Sequence, residues 1–245
     1  MVRLEDRRHC PRFDSLTAAP RSMGGVIAAD VATYYGVNLI RGVILMGSFP
    51  YRSMQPLVAT QWILDFIPRL LDPSLANFGP TAKEFAESCV AFGNQLDQGI
   101  KYSWMGAVAG QNPDVRNWSL PHTQNETTLM ASSKTFPYLV LHGTMDHHVD
   151  GGKLRDFMNA NFGNFAFRLW NNTGHASFWD NPDKANPEIV AFANRLSSVS
   201  LPFPLRFLVD PLVLCRAGPF SVIVPMVPFS PLGPEIPGAG ADDNI

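Results

Sequence analysis

This sequence lacks a concentrated basic surface. Its 19 Lys and Arg face 21 Asp and Glu, for a formal charge of -2 and a pI near 6.3, and neither nucleic acid nor an anionic membrane is drawn to a surface without clustered cations. The arginines of the opening "VRLEDRRHCPR" are interleaved with acids and read as a solvated tail. Cysteine is scarce and scattered. Cys10, Cys89 and Cys215 form no close pair at zinc or redox spacing, so they read as free thiols in a reducing compartment. The first twenty residues hold no apolar core segment of the kind a signal peptide needs. The longest apolar stretch near the end, "GPFSVIVPMVPFSPL", is too short and too often broken by proline to span a bilayer. These absences give the expectation of a cytoplasmic chain with no nucleic-acid partner and no transmembrane segment.

What is present is enough for one domain with a sizeable core, since the chain has 245 residues and is 46% hydrophobic. From Ser22, small and apolar residues continue unbroken to Gly36, which predicts a closely packed buried helix with a glycine stop. "GVILMGSFP" (42–50), "FPYLVLHGTMD" (136–146) and "FAFRLW" (165–170) read as short strands, the first covered on both faces. Strands separated by helical stretches predict an α/β fold with a parallel sheet.

Residues 51–135 contain almost no strand-like run. There Thr81 and Glu84 after Pro80 stand at capping-box spacing, followed by Phe85, Cys89, Phe92 and Leu96 at helical intervals, with Trp62, Phe66 and Leu70 as a stripe upstream. The segment reads as helices inserted between two strands, either a lid or extra packing. A last helix is expected over 182–198, with Ile189, Phe192, Ala193 and Leu196 on one side. Nine prolines then fall among residues 200–245, which read as a Pro-rich irregular tail.

Three polar groups occupy places where they could form one site. Ser22 sits at a sharp turn into a helix, where the backbone N–H of Met23 and the positive helix end face a developing oxyanion. Asp146 follows the strand "YLVLHG", and His175 follows "FAFRLW"; both loops leave the carboxyl ends of parallel strands, where ligand sites form in open α/β sheets. A serine needs a base to take its proton, and the base needs a third group to fix its tautomer. Each residue also has a plainer role open to it: helix N-cap for Ser22, turn or surface acid for Asp146, hydrogen-bonded loop residue for His175. His147 and His148 are neighbours that rarely face one ion and have no clear third ligand, while His142 reads as a residue that positions the turn.

The order Ser, Asp, His and the three local patterns resemble the serine-dependent α/β-hydrolases. "RSMGG" (21–25) is similar to that family's nucleophile elbow, "LHGTMDHHVD" (141–150) to its acid loop, and "GHASFWDNP" (174–182) to its histidine loop. The resemblance covers residues 21–199, with 51–135 as a helical lid, and leaves 1–20 as a segment foreign to the family. It implies Ser22 as nucleophile, His175 as general base and then acid, Asp146 as the group that orients the imidazole, and Met23 as a backbone oxyanion donor. It implies no metal or organic cofactor. The expected activity is carboxylic-ester-type hydrolysis through an acyl-enzyme, on a small-molecule ester or acyl substrate, in an apolar pocket that Met54, Trp62, Phe66, Trp104 and Met105 would line.

The sequence departs from the family in two places. Pro20 stands where the elbow normally has glycine, and "FDSLTAAPR" offers no buried strand leading into the serine. Twenty-one residues at about 3.4 Å each cannot supply the strands that precede the serine in the family. The expectation is therefore a partial hydrolase fold that lacks its N-terminal strands. The strand near residue 43 would then show an unpaired edge prone to self-association. The alternative to an active esterase is a weak or inactive hydrolase-like fragment that needs a partner to complete its sheet.

Overall fold

Apolar runs without polar alternation become strands covered on both faces. The computed structural model describes residues 16–72, 74–121 and 123–197. The tail expected over 200–245 lies outside the described residues, as do Cys10 and Cys215. Four strands, β1 (Leu16–Ala18), β2 (Ile40–Met46), β3 (Tyr138–Gly143) and β4 (Phe165–Trp170), form one parallel sheet in the order β1-β2-β3-β4. β1 corrects the reading of "FDSLTAAPR" as strandless. Thr17 and Ala18 pair with Gly42 and Val43, and the ladder is extended by a bridge from Arg21 to Met46. Three residues with one β-branched member carry no periodic signal; the neighbouring strand recruits them through backbone hydrogen bonds. The edge of β2 is therefore occupied.

A short 3-10 turn (Ser22–Val26) and α1 (Ile27–Tyr35) follow β1, and the helix stops at Gly36 with φ of 82° as expected. Between β2 and β3 run α2 (Gln55–Val58), α3 (Gln61–Leu71), α4 (Leu75–Ser88), α5 (Gln98–Gly110), α6 (Pro113–Ser119) and α7 (Thr127–Ala131). No strand interrupts them among the described residues. α8 (Gly151–Asn161) joins β3 to β4, and α9 (Ser177–Asp180) and α10 (Pro182–Ser197) close the described chain. No helix among the described residues is long and apolar enough to cross a membrane.

Alternation within β2 and β3 divides the core between the two faces of the sheet. Val43, Leu45, Tyr138 and Val140 pack with α1 and α8 through Ala28, Ala29, Ala32, Leu154 and Met158. Ile44, Met46, Leu139 and Leu141 pack with Phe192, Ile189 and Leu196 of α10.

The capping box expected at Thr81–Glu84 does not start a helix. α4 begins at Leu75 and runs through Pro80, and Thr81 is buried inside it. Burial of Thr81, Ala82 and Ala86 along one side holds the helix across the hydrogen bond that proline cannot make. The periodicity from Phe85 to Leu96 is also not one helix. α4 ends at Ser88 and the chain turns, leaving Phe92 about half exposed, while Cys89 and Leu96 meet in one cluster by tertiary packing.

Candidate active site

The turn after β1 is strained at one residue. Ser22 has φ of 51°, a region that costs a non-glycine residue about 1–2 kcal/mol, whereas Arg21 before it is extended. Two devices hold it. The Ser48 hydroxyl donates to the Ser22 carbonyl, and the amide of Gly24 donates to the Arg21 carbonyl at 2.9 Å. Gly25 is needed because a Cβ there would lie 2.6 Å from the Phe49 carbonyl oxygen. Pro20 in place of the elbow glycine is accommodated: its Cβ is at ordinary contact distance, 3.5 Å, from a Cβ built on Gly24. Its carbonyl still joins the ladder, accepting from the Met46 amide at 3.2 Å. Met23 is the second residue of a helical turn, where amides have no intrahelical acceptor.

Asp146 and His175 meet above the ends of β3 and β4. His175 Nδ1 lies 3.0 Å from both carboxylate oxygens, and both side chains are almost completely buried. Asp146 Oδ1 also accepts from the amides of His148 at 2.7 Å and Val149 at 3.1 Å. Burial opposes its charge, yet the His175 imidazole, by charge and hydrogen bond, with His142 and His148, holds the carboxyl well below its usual range. Because the carboxylate can only accept, Nδ1 carries a proton, and in the neutral imidazole the lone pair is then on Nε2. Nε2 is buried and has no hydrogen-bond partner among the described residues, so it does not bond Ser22 in this state.

The strand-end histidine has the positioning role expected of it. His142 Nε2 donates to the Val149 carbonyl at 3.0 Å across the acid loop, and burial holds the ring neutral by lowering its pKa.

Several contributors carried no distinguishing signal in the sequence. Asp180, inside the quoted "GHASFWDNP", accepts from the amides of Gly174 at 2.6 Å and Ala91 at 2.9 Å, tying the histidine loop to the inserted helices. Arg21 lays its guanidinium over Trp104 and Phe178, 5.4 and 5.5 Å from the ring centroids. Trp104 packs against Arg21 and Trp179, while Trp62 stacks on His148 and also lines a groove, as expected of it. The Cys89 thiol is buried and pushed up to about 11, chiefly by desolvation, so it is inert.

His148, without its neighbour His147, stands beside the Asp146–His175 pair. Asp146, His148 and His175 bring donor atoms within 4.8 Å of one another. Asp146 is engaged by three N–H groups, His175 Nδ1 by Asp146, and His148 Nε2 by Ser88 at 2.8 Å, so that only the second nitrogen of each imidazole could face an ion. The set fits a hydrogen-bond network better than a cation. Two grooves of about 220 and 260 Å³ open on the inserted helices, and neither is lined by Ser22, Asp146 or His175.

Gly47, with φ of 55°, lets the chain pass under the imidazole. A Cβ there would stand 2.4 Å from the His175 carbonyl oxygen and 2.9 Å from Nδ1. Gly47→Ala is therefore expected to displace His175 and to lower the rate of fluorophosphonate labelling by about a hundredfold, the scale of an ångström-sized misplacement. A wild-type rate in that variant would show that the loop yields and the ring stays.

No family model matches this chain, and no curated protein matches it in sequence. Solved structures do match in shape. An esterase from Rhodococcus sp. superposes with a TM-score of 0.64 at 18% identity, over 75% of this chain and 66% of that one. A bromoperoxidase from Bacillus anthracis gives 0.58 at 18% identity, over 74% and 68%. The 2-hydroxy-6-oxo-6-phenylhexa-2,4-dienoate hydrolase of a Rhodococcus strain gives 0.56 at 17%, over 74% and 64%. The chain thus spans about two thirds of the length of these structures. On this agreement in shape, together with its parallel sheet and mostly helical remainder, the chain has the α/β-hydrolase fold.

Proposed function

We propose that this chain is a serine hydrolase that cleaves a carboxylic ester through an acyl-enzyme at Ser22. The observation that carries the reading is the Asp146–His175 pair, which fixes the imidazole with its Nε2 lone pair unengaged at the end of the sheet where the Ser22 turn also lies. Nε2 takes the Ser22 proton as Oγ attacks the acyl carbon. The tetrahedral oxyanion is met by the Met23 N–H and the positive end of the helical turn. The His175 imidazolium then gives its proton to the departing alkoxide. A water molecule, deprotonated by the same Nε2, releases the acid and regenerates Ser22. Hydrogen bonds between nucleophile and base are often long before substrate arrives and tighten in the complex.

The inserted helices act as a lid in this reading. Because His175 Nε2 is buried, the segment between β2 and β3 shifts in this reading to let an ester reach it. The aromatic character of Trp62, Phe66, Phe85 and Trp104 favours an apolar acyl or alcohol group. The test is intact-mass detection of a fluorophosphonate adduct on monodisperse protein. One adduct is expected, absent in Ser22→Ala and in His175→Ala. No adduct on folded protein would favour the reading as an inactive hydrolase-like fragment.

A further inference from the structure

The inserted helices reach the Asp146–His175 pair through a residue that the mechanism above does not use. His148, 4% exposed, lies between Trp62 of α3 and Phe85 of α4, with ring centroids at 5.4 and 5.3 Å and interplanar angles of 4° and 20°. Its ring also packs on His175, centroid to centroid at 4.1 Å. Its backbone amide donates to Asp146, and its carbonyl accepts from Thr60 at 3.1 Å. One residue therefore touches the base, the acid and two inserted helices.

The Ser88 contact fixes its tautomer. Ser88 Oγ is 2.8 Å from the Phe85 carbonyl and 2.8 Å from His148 Nε2. A carbonyl oxygen can only accept, so the single hydroxyl proton points to Phe85, and Oγ accepts from Nε2–H. His148 is thus held as a neutral imidazole, with a proton on the nitrogen that faces α4 and none on Nδ1. A protonated ring at this place would stand 4.1 Å from a second imidazole that must itself become cationic during acyl transfer.

We propose that His148 is a positioning residue for His175: clamped by Trp62 and Phe85 and oriented by Ser88, its neutral ring sets the plane of the base against Asp146. This inference rests on the serine-hydrolase reading. It gives the inserted helices a part in the chemistry besides covering the site, because any movement of α3 and α4 is felt by the general base through this ring.

The test separates the reaction step from probe binding by measuring fluorophosphonate labelling of Ser22 over a range of probe concentrations. His148→Phe keeps the aromatic sandwich and loses the bond to Ser88. Its maximal labelling rate is expected to fall by about tenfold to a hundredfold with half-saturation unchanged, the loss that misorientation of a catalytic group produces. His148→Gln, whose amide N–H can still reach Ser88, is expected to recover part of that rate. Ser88→Ala, which leaves every ring in place, gives a smaller fall of the same kind and keeps the inference testable if the His148 variants do not fold. A wild-type maximal rate in folded His148→Phe or Ser88→Ala would overturn the inference while leaving the proposed function intact. Absence of labelling in the unaltered chain would overturn both.

Discussion

Asp146→Asn is expected to slow acylation of Ser22 by about four orders of magnitude without unfolding the chain. The loss of charge is the smaller part of the reason. Oδ1 accepts the amides of His148 and Val149, so an asparagine must place its carbonyl oxygen there and turn its NH2 group toward His175. An NH2 group cannot accept the Nδ1 proton. The imidazole therefore shifts to the tautomer protonated on Nε2, and the base no longer has a lone pair for the Ser22 proton. The same exchange in a serine-protease triad costs about 10⁴ in turnover while leaving geometry intact. The measurement is the labelling rate of the variant beside its near-ultraviolet circular dichroism. A rate within tenfold of wild type would mean that Asp146 only shapes the loop.

Stability is expected to fall as pH drops from 7 to 5, well above the range where carboxylates titrate. Burial lowers the pKa of His142, and it lowers that of His148 well below the ordinary histidine value, with the neighbouring His175 adding to the effect at His148. Both groups must fold neutral. The unfolded chain binds protons at about pH 6.5 and below, so between the folded and unfolded values it holds more protons than the native state, and stability rises with pH. The contribution is complete above the unfolded value. It is lost on acidification by up to about 1.4 kcal/mol per pH unit for each histidine. Asp146 acts with the same sign at lower pH: its depressed carboxyl contributes stability above the ordinary Asp value and loses it as pH falls toward the folded one.

Urea titrations at half-unit steps would show the slope. His148→Phe should remove one histidine's share and flatten the profile. An unchanged midpoint from pH 7 to pH 5 would contradict the buried neutral state of these rings.

The alternation-free runs around residues 42–46, 138–143 and 165–170 were legible as parallel strands because strands covered on both faces need no polar side. The glycine stop at Gly36 and the helical nature of the insertion were legible for similarly local reasons. Asp146 and His175 could be selected as candidates because each follows a legible strand end, and Ser22 because "RSMGG" opens a small-residue helix in a pattern that resembles a nucleophile elbow. β1 was not legible, since three residues carry no period and their pairing belongs to β2. The Thr81 signal misled because a capping box describes a free helix start, and here burial of Thr81, Ala82 and Ala86 carries α4 past its proline.

By itself the sequence determined the fold class, the order of the elements and the chemical types that could form a site, because strand burial and turn chemistry are written in neighbouring residues. Only the tertiary structure decided which nitrogen of His175 bears the proton, that Asp180 ties its loop to the insertion, and that His148 lies against it between two aromatic rings. These depend on contacts between residues 27 to 89 positions apart, and no local pattern specifies which distant groups the packing of the sheet and the inserted helices brings together.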